Sequence, residues 1–287
     1  MGSQKGIDVS TWQGGYTDFT KVKKAGNSFV IIRAGYGKEK SQIDNQFINN
    51  YNKARKAGLK LGAYWYSYAK SEEEAIQEAE ACLSVIGGKK FEMPIFYDVE
   101  EARTLELGSA TVRKIISAFC NKLKQNKYYC GITSFLSAFE DIIGIDFANK
   151  YPVWVAQYYN KCTYKGNFAI WQHTNSAKVD GITTGVVDED FYYPDKMNYE
   201  NYIKANGYNG FSAQFGSLFS PNEIYIAFEV INGKWSSGEK RKQMLEQSKY
   251  NYNRIQEIVN ILLNNKINMF EKSKIILTTR RWKICQY

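Results

Sequence analysis

The stretch Met93-Pro-Ile-Phe-Tyr-Asp-Val-Glu100 has the composition of a buried strand that ends in two carboxylates. Ile95, Phe96 and Tyr97 favour β-structure. Because alternate side chains of a strand point to the same face, Asp98 and Glu100 are expected to stand side by side. Burial and mutual repulsion would raise the pKa of at least one of them. Such a pair is typical of a catalytic site, although a solvated acidic strand end has the same pattern.

Seven further strand-like segments surround this stretch and predict a barrel. Helical segments separate the early strands, namely 43–57, 71–86 with a capping box of Ser71 and Glu74, and Ser109–Lys124. The last three strands follow one another with few helical residues. This alternation predicts a parallel α/β fold, and eight strands can close into an irregular TIM-like barrel. The predicted strands are Gly6–Val9, Ser28–Arg33, Leu59–Tyr66, Met93–Asp98, Tyr128–Thr133, Pro152–Gln157, Phe168–Gln172 and Val186–Asp190.

Acidic residues recur where these strands end. Asp8 belongs to the first strand, Asp98 and Glu100 to the fourth, and Asp188 and Asp190 to the eighth. The carboxyl ends of parallel barrel strands meet on one face, where barrel enzymes carry their chemistry. The sequence therefore predicts an acidic centre at that face, although Asp8 could instead be a simple strand-end or capping acid.

The remaining composition narrows the chemistry to carboxylates. His173 is the one histidine, which excludes a multi-histidine zinc site and leaves a single candidate imidazole base. Beside Gln172, it is more simply a loop or strand-end residue. The five cysteines are odd in number and none forms a CxxC pair, which indicates reduced thiols. Residues 1–10 lack an apolar run, so we expect synthesis in a cytoplasm without a signal peptide, and no segment reaches transmembrane length.

The C-terminal quarter differs from the rest of the chain. The net charge is +9, and residues 212–287 carry 12 Lys and Arg against 6 Asp and Glu. This excess suggests an anionic partner, which could be nucleic acid, a membrane surface or an anionic cell wall. Periodicity is lost over 207–221, which predicts a linker after a barrel of residues 1–206. Residues 222–264 show three short amphipathic helices, and the basic segment 265–287 fits neither part.

Seven short motifs occur in order between residues 5 and 194. They are Gly6-Ile-Asp-Val-Ser10, Arg33-Ala-Gly-Tyr36, Gly62-Ala-Tyr64, Tyr97-Asp-Val-Glu100, Trp154-Val-Ala-Gln-Tyr158, Trp171-Gln172 and Val187-Asp-Glu-Asp-Phe191. As a set they resemble the glycoside hydrolase family 25 lysozymes, which are N-acetylmuramidases and include many phage endolysins. The resemblance implies an irregular eight-stranded α/β barrel with fewer than eight helices, and bacterial peptidoglycan as the substrate. We expect no cofactor and no metal.

The resemblance assigns roles to the acids. It implies that Glu100 donates a proton to the glycosidic oxygen. The chemistry of the two side chains agrees, because glutamate has a longer reach and a higher intrinsic pKa than aspartate. Asp98 would stay ionised and act as nucleophile, stabilise the oxocarbenium-like transition state, or orient the acetamido group. Asp8 and Asp188 would complete the acidic floor. Asp190 shares the face of Asp188 and is the lower-ranked alternative to it.

Aromatic and polar side chains on the strands are expected to bind the sugars. Tyrosine and tryptophan rings stack on the apolar faces of amino sugars, and barrel packing is the competing interpretation for Trp171 and Tyr66. The candidate substrate contacts are Tyr64, Tyr66, Trp154, Gln157, Trp171 and Arg33.

The C-terminal helices resemble a second family. With Asn222 as the expected first N-cap, the segments Glu229-Val-Ile-Asn-Gly-Lys-Trp235, Gly238-Glu-Lys-Arg241 and Val259-Asn-Ile-Leu-Leu263 look like one type-seven cell-wall-binding repeat. Trp235 and Arg241 would touch glycan or muropeptide, although Trp235 could equally anchor the small core. The family's usual glycine after Trp235 is replaced by Ser236.

Together these features predict a bacteriolytic muramidase that acts on the cell wall, in the manner of a phage or prophage endolysin. One alternative is a non-catalytic wall-binding protein on a decayed barrel. Another is a metal-dependent phosphodiesterase or deacetylase that uses the acid cluster. The basic C-terminus permits nucleic-acid binding, but no nucleic-acid motif accompanies it. We therefore expect peptidoglycan as the partner, without nucleic acid and without membrane insertion.

Overall fold

The chain forms two compact units that divide between residues 214 and 215. The computed structural model describes residues 2–213 and 219–263. Within residues 2–213, eight strands close into a barrel in which each strand pairs with its neighbours in sequence and the eighth pairs with the first. The predicted irregular barrel is therefore confirmed. The strands are β1 (Gln4–Val9), β2 (Asn27–Tyr36), β3 (Lys60–Tyr66), β4 (Ile95–Asp98), β5 (Cys130–Phe135), β6 (Val153–Ala156), β7 (Ile170–Ala177) and β8 (Val187–Tyr192).

Strand β8 runs opposite to both of its neighbours, whereas the other strand pairs of the barrel are parallel. The expectation of a wholly parallel barrel is therefore wrong at this strand. Residues 178–186 connect β7 to β8 without a helix. A parallel crossover usually needs a dozen or more residues, so this short connection returns the chain antiparallel. As a result Asp188, near the start of β8, reaches the same end of the barrel as the last residues of β1 and β4.

Helices cover the outside of the barrel mainly along its first half. They are α1 (Phe19–Lys24), α2 (Phe47–Ala57), α3 (Glu72–Ile86), α4 (Ala102–Leu105), α5 (Gly108–Gln125), α6 (Leu136–Ala138), α7 (Ile145–Ala148) and α8 (Tyr199–Asn206). A 3-10 turn at Thr11–Gln13 and a π-helical turn at Phe139–Ile143 complete this part. The three predicted helices are present as α2, α3 and α5. The described residues between β6 and β8 hold no helix, as predicted, whereas α8 was not foreseen.

Side chains of the strands alternate between the barrel interior and the helices. On β4, Tyr97 points outward into the apolar cluster beneath the helices, where its ring stacks on Phe119 of α5 with 3.8 Å between centroids. Phe96 points inward and fills the interior so closely that a Cβ at Gly131 would lie 2.6 Å from its ring. Since Asp98 shares the face of Phe96, its carboxylate is turned toward the end of the barrel interior.

The first part of the predicted linker 207–221 belongs to the barrel unit. Asn209 is fully buried. Its side-chain oxygen accepts a hydrogen bond from the backbone N–H of Tyr129 at 2.8 Å, and its amide donates to the carbonyl of Met93 at 2.9 Å. These bonds tie the segment after α8 to the chain just before β4 and β5. The division between the two units still falls within the predicted linker.

The described part of the second unit, residues 219–263, consists of three helices, α9 (Pro221–Ile231), α10 (Gly238–Gln247) and α11 (252–263). The predicted three-helix arrangement is therefore present. The predicted N-cap at Asn222 is wrong, because Ser220 is the cap. The Ser220 hydroxyl accepts from the N–H of Glu223 at 3.2 Å, and the Glu223 carboxylate accepts from the N–H of Ser220 at 2.8 Å. This reciprocal box starts the helix at Pro221, so Asn222 already lies inside it.

Residues 265–287, the predicted basic tail, lie outside the described residues, as do residue 264, Cys285 and residues 214–218 of the predicted linker. Across the described ranges, no helix combines the length and the apolar character that a bilayer crossing requires. The described cysteines are free thiols, as expected: Cys82, Cys120, Cys130 and Cys162.

Candidate active site

Four of the predicted acids gather at one end of the barrel. Asp8, the second-last residue of β1, pairs directly across the sheet with Asp188 of β8. Asp98 is the last residue of β4, and Glu100 follows it outside the strand. Val99 between them is fully buried and still donates its N–H to the carbonyl of Thr133 on β5 at 3.0 Å. The backbone thus keeps its extended course past Asp98, which holds Glu100 close to the barrel end.

Burial raises the pKa of each of these four acids, and the charge of a neighbouring acid adds to the rise for Asp8, Asp98 and Glu100. Burial, followed by the charge of Asp188, raises the pKa of Glu100 from 4.5 to about 7. Burial, followed by the charge of Glu100, raises the pKa of Asp98, while the positive charge of Arg33 opposes that rise. Burial favours the protonated form of both acids, whereas the positive charge of Arg33 favours the ionised form of Asp98.

Asp8 is held in place by a residue that the sequence interpretation did not select. Its Oδ2 accepts a hydrogen bond from the side-chain amide of Gln172 on β7 at 2.7 Å. Burial, then the charges of Asp188 and Asp190, raise the pKa of Asp8, and the bond from Gln172 opposes this. The hydroxyl of Tyr158 in turn donates to the Gln172 side-chain oxygen at 3.0 Å. Gln172 and Tyr158 both fall within the motifs quoted above, and this position could have marked them as candidate site residues.

Asp190 lies deeper in the barrel than Asp188. It is fully buried, and its Oδ1 accepts a hydrogen bond from the indole N–H of Trp154 at 2.8 Å. Burial raises the pKa of Asp190, and the bond from Trp154 opposes the rise. Asp190 is therefore less accessible to a ligand than Asp188, which is only partly buried.

The tryptophans predicted as sugar platforms are packed into the protein. Trp154 is 3% exposed and makes edge contacts with Tyr64 and Phe96, at 6.0 and 5.4 Å between ring centroids. Trp171 lies on the face of β7 opposite Gln172, is 5% exposed, and donates its indole N–H to the carbonyl of Gln157 at 2.8 Å. Their positions favour barrel packing over direct sugar stacking.

The other predicted substrate contacts differ in how far their side chains are already bonded within the protein. Arg33 on β2 donates its Nε to buried Asp44 at 2.7 Å and acts on Asp98 through its charge. The Gln157 amide bonds both the N–H and the hydroxyl of Thr163 at 2.8 Å, which closes its own loop. Tyr66 pairs in register with Asp98, and its side chain is half-buried at the barrel end. Among these residues, Tyr66 is the one placed beside the acids with ring surface accessible.

Several exposed aromatic rings that were not predicted lie on loops after strand ends. Trp12 and Tyr16 follow β1 and are 78% and 83% exposed. Tyr68 follows β3, and Tyr158 and Tyr159 follow β6, all roughly half exposed. The loops after the parallel strands lie at the end of the barrel that carries the acids. In the sequence, these residues could have been recognised because they follow directly after predicted strands. The prediction instead selected aromatic residues within the strands.

No metal centre is evident in the ranges 2–213 and 219–263, where no three His, Cys, Asp or Glu side chains are grouped to hold an ion. His173, the one histidine, bonds Glu189 at 3.0 Å and stacks on Phe191 at 4.6 Å between centroids. Within the same ranges, Gln172 and Trp154 donate hydrogen bonds to Asp8 and Asp190, and the charge of Arg33 acts on Asp98.

In the second unit, both predicted wall-binding residues also hold the helices together. The indole N–H of Trp235 donates to Glu229 at 3.0 Å, and its ring meets Tyr250 edge-on. Arg241 donates through Nε and Nη2 to the carbonyl of Ser236, at 3.1 and 3.0 Å. Ser236 has a φ of 58°, which is the left-handed region. This conformation explains why glycine is usual at that position.

Comparison with known proteins identifies both units. The family model of glycosyl hydrolases family 25 matches residues 7–182, and the CW_7 repeat model matches residues 225–263. The chain is similar to Lysozyme M1 of Streptomyces globisporus, at 30% identity over 65% of this chain and 66% of that protein. It is also similar to the autolytic lysozyme of Clostridium acetobutylicum, at 29% identity over 65% of this chain and 55% of that protein.

Among solved structures, the barrel resembles the modular autolysin LytC from Streptococcus pneumoniae. The TM-score is 0.61 at 27% identity, covering 67% of this chain and 47% of that one. The chain thus spans about half the length of these two autolytic relatives.

Proposed function

Because this chain belongs to the glycosyl hydrolases of family 25, we propose that it is a lysozyme that hydrolyses bacterial peptidoglycan. The bond cleaved is the β-1,4 linkage from N-acetylmuramic acid to N-acetylglucosamine. The observation that carries this proposal is the Asp98–Glu100 pair, with the pKa of Glu100 raised to about 7 inside a cluster of buried acids. Two relatives are named as lysozymes, which supports the proposal. The structure of LytC in complex with a synthetic peptidoglycan ligand supports it as well.

Glu100 supplies the proton that the leaving sugar needs. A carboxylic acid with a pKa near 7 is about half protonated at neutral pH and is a good proton donor. As the C1–oxygen bond breaks, the proton of Glu100 passes to the glycosidic oxygen, and the electron pair of the bond leaves with that oxygen. The Glu100 carboxylate then takes a proton from the water that attacks C1, which restores the acid.

Asp98 stabilises the positive charge that develops at the sugar ring. Its Oδ1 is buried and accepts no hydrogen bond from any residue in the described ranges. The charge of Arg33 favours the ionised form. Because Oδ1 is closed off from solvent, an ionised Asp98 would act on C1, or on the N–H of the acetamido group, through its other carboxylate oxygen. Asp8 and Asp188 face each other across the sheet and form the acidic floor that keeps the Glu100 proton in place.

The exposed aromatic rings on the loops after β1, β3 and β6 are the proposed sugar platforms. Trp12, Tyr68 and Tyr158 stand at the end of the barrel that carries the acids and offer the flat apolar surface that pyranose faces require. Tyr158 also links this surface to Asp8 through Gln172. The CW_7 repeat is proposed to hold the enzyme on the wall, in the manner of a phage or prophage endolysin.

The test is the chemistry of the products. Purified cell walls are digested with the full-length chain, the products are reduced with borohydride, and the sugar at the new reducing end is identified. We expect reduced muramic acid, and we expect Glu100→Gln to lower the initial rate by about 10³-fold. Reduced glucosamine, a free peptide amine, or activity lost on adding a chelator would each overturn the proposal.

A further inference from the structure

A cavity of about 350 Å³ opens between the loops that follow β2, β3 and β4, and Glu101, the residue after Glu100, is part of its lining. We call it the side cavity. Its volume lies in the lower part of the range for small-ligand sites, which are mostly apolar and carry a few placed charges. The lining residues that matter for its chemistry are Tyr68, Lys70, Glu74, Glu78, Glu101 and Arg103.

A buried carboxylate fixes one wall of the side cavity. Glu78 of α3 accepts hydrogen bonds from the backbone N–H of Tyr68 at 2.7 Å and from the hydroxyl of Tyr97 at 2.5 Å. The neighbouring Ser67 donates its N–H to the carbonyl of Asp98 at 2.9 Å. The loop that carries Tyr68 is therefore tied to the strand of Asp98. A wall fixed in this way needs little ordering when a ligand binds.

The charges of the side cavity are unevenly satisfied. Lys38 pairs with Glu74 at 2.9 Å, and Glu74 also accepts the N–H of Lys70 at 2.8 Å. By contrast, the side chains of Lys70 and Arg103 form no ion pair with any carboxylate that the structure describes. The rim thus offers the cations of Lys70 and Arg103 together with the carboxylates of Glu39 and Glu101, and the charge of Lys70 also acts on Glu74. This set suits a ligand that bears a free carboxylate and a nearby amide or ammonium group.

The side cavity adjoins the proposed cleavage site. Glu101 directly follows Glu100, and the hydroxyl of Tyr66 points to Glu101 at 3.5 Å. Tyr66 also pairs in register with Asp98. A ligand in the side cavity would therefore be joined to the sugar that lies over Asp98 and Glu100. In peptidoglycan, the muramic acid carries such a group, a short peptide with free carboxylates on its lactyl ether.

We propose that the side cavity binds the peptide of the muramic acid next to the scissile bond, with Lys70 and Arg103 holding a peptide carboxylate. This inference rests on the proposed function, since it assumes peptidoglycan as the substrate. It makes the peptide a determinant of which glycan strands are cleaved quickly. The wall-binding repeat plays no part in it.

The test compares one cell-wall preparation with the same preparation after an amidase has removed its peptides. Initial rates of reducing-end release by the full-length chain give a ratio, peptide-bearing over peptide-free. We expect a ratio of about tenfold for the wild type, a value typical of one charge-assisted contact. Lys70→Ala/Arg103→Ala should lower the ratio toward one, whereas Lys70→Arg/Arg103→Lys should keep most of it because both cations remain.

The matched control removes the same charge at the other end of the barrel. Lys24→Ala/Lys124→Ala changes exposed residues that end α1 and α5, just before β2 and β5 begin. Its ratio should equal that of the wild type. A wild-type ratio of one, or a Lys70→Ala/Arg103→Ala ratio equal to the wild-type value, overturns the peptide site. No reducing ends from either substrate would instead overturn the proposed function.

Discussion

Replacing Glu100 by glutamine should stabilise the protein above neutral pH, although it should lower activity by about 10³-fold. Folding raises the pKa of Glu100 from 4.5 to about 7, so the folded state favours its neutral form. The stability that this proton binding provides is fully present below about pH 4.5 and is lost as the pH rises through 7. A shift of this size corresponds to about 3 kcal/mol. Glutamine does not titrate, so Glu100→Gln avoids that loss.

The expected signature is a difference that grows with pH. At pH 4.5 and below, wild type and Glu100→Gln should unfold at similar temperatures, because both side chains are then neutral. At pH 8 the variant should melt roughly 5–10 °C higher, given the size of the barrel unit. Thermal unfolding followed by near-ultraviolet circular dichroism measures this on the full-length chain. Reducing-end release from cell walls, measured on the same samples, should fall by about 10³-fold.

The matched control is Glu106→Gln, six residues further on. Glu106 is exposed after α4, away from the acid cluster. This variant should melt with the wild type at both pH values and keep its activity. The reasoning is refuted if the Glu100→Gln difference is the same at pH 4.5 and pH 8, because the carboxyl would then not be a buried titrating group. Lower stability of Glu100→Gln at pH 8 would contradict it as directly.

Three further predictions follow from single contacts. Ser220→Ala should destabilise the second unit by about 1 kcal/mol in urea unfolding, whereas Asn222→Ala, inside the helix, should change it by less than half as much; equal effects would argue against the Ser220 cap. Ser236→Gly should stabilise the same unit by about 0.5 kcal/mol because it relieves the positive φ, and a loss of stability would be the contrary result. Gln172→Met removes the donor to Asp8 and should lower kcat/KM about tenfold, while Asn167→Ala, on the loop before β7, should leave it unchanged.

The barrel could be predicted from sequence because its signals are local. Hydrophobic runs the length of a strand and amphipathic helices between them locate all eight strands, although β7 ends five residues later than predicted. The acids of β1, β4 and β8 are visible in the same windows of sequence. The direction of β8 was missed because it depends on how residues 178–186 cross the barrel end, which no local pattern records. The N-cap at Ser220 was within reach, since Ser220-Pro-Asn-Glu223 has the capping-box spacing.

The substrate contacts were harder because exposure is a property of the closed barrel. The local sequence pattern around an aromatic residue in a strand is the same whether its ring faces the interior, as that of Trp154 does, or the helices, as that of Trp171 does. Only the register of β6 and β7 against their neighbours separates the two. Rings on the loops escape this ambiguity because no strand covers them. Position after a strand end is therefore the better sequence criterion for a sugar platform in this fold.

The reversed last strand is what brings the fourth acid into the cluster. In a wholly parallel barrel, a residue as early in β8 as Asp188 would lie at the end remote from Glu100. Antiparallel pairing instead sets Asp188 directly across from Asp8, and its charge is the one that raises the pKa of Glu100 after burial. The pairing of two acids opposes folding, since like charges directly across a sheet repel. The irregular closure therefore raises the pKa of Glu100, as the proposed mechanism requires, at a cost in stability that Glu100→Gln should reveal.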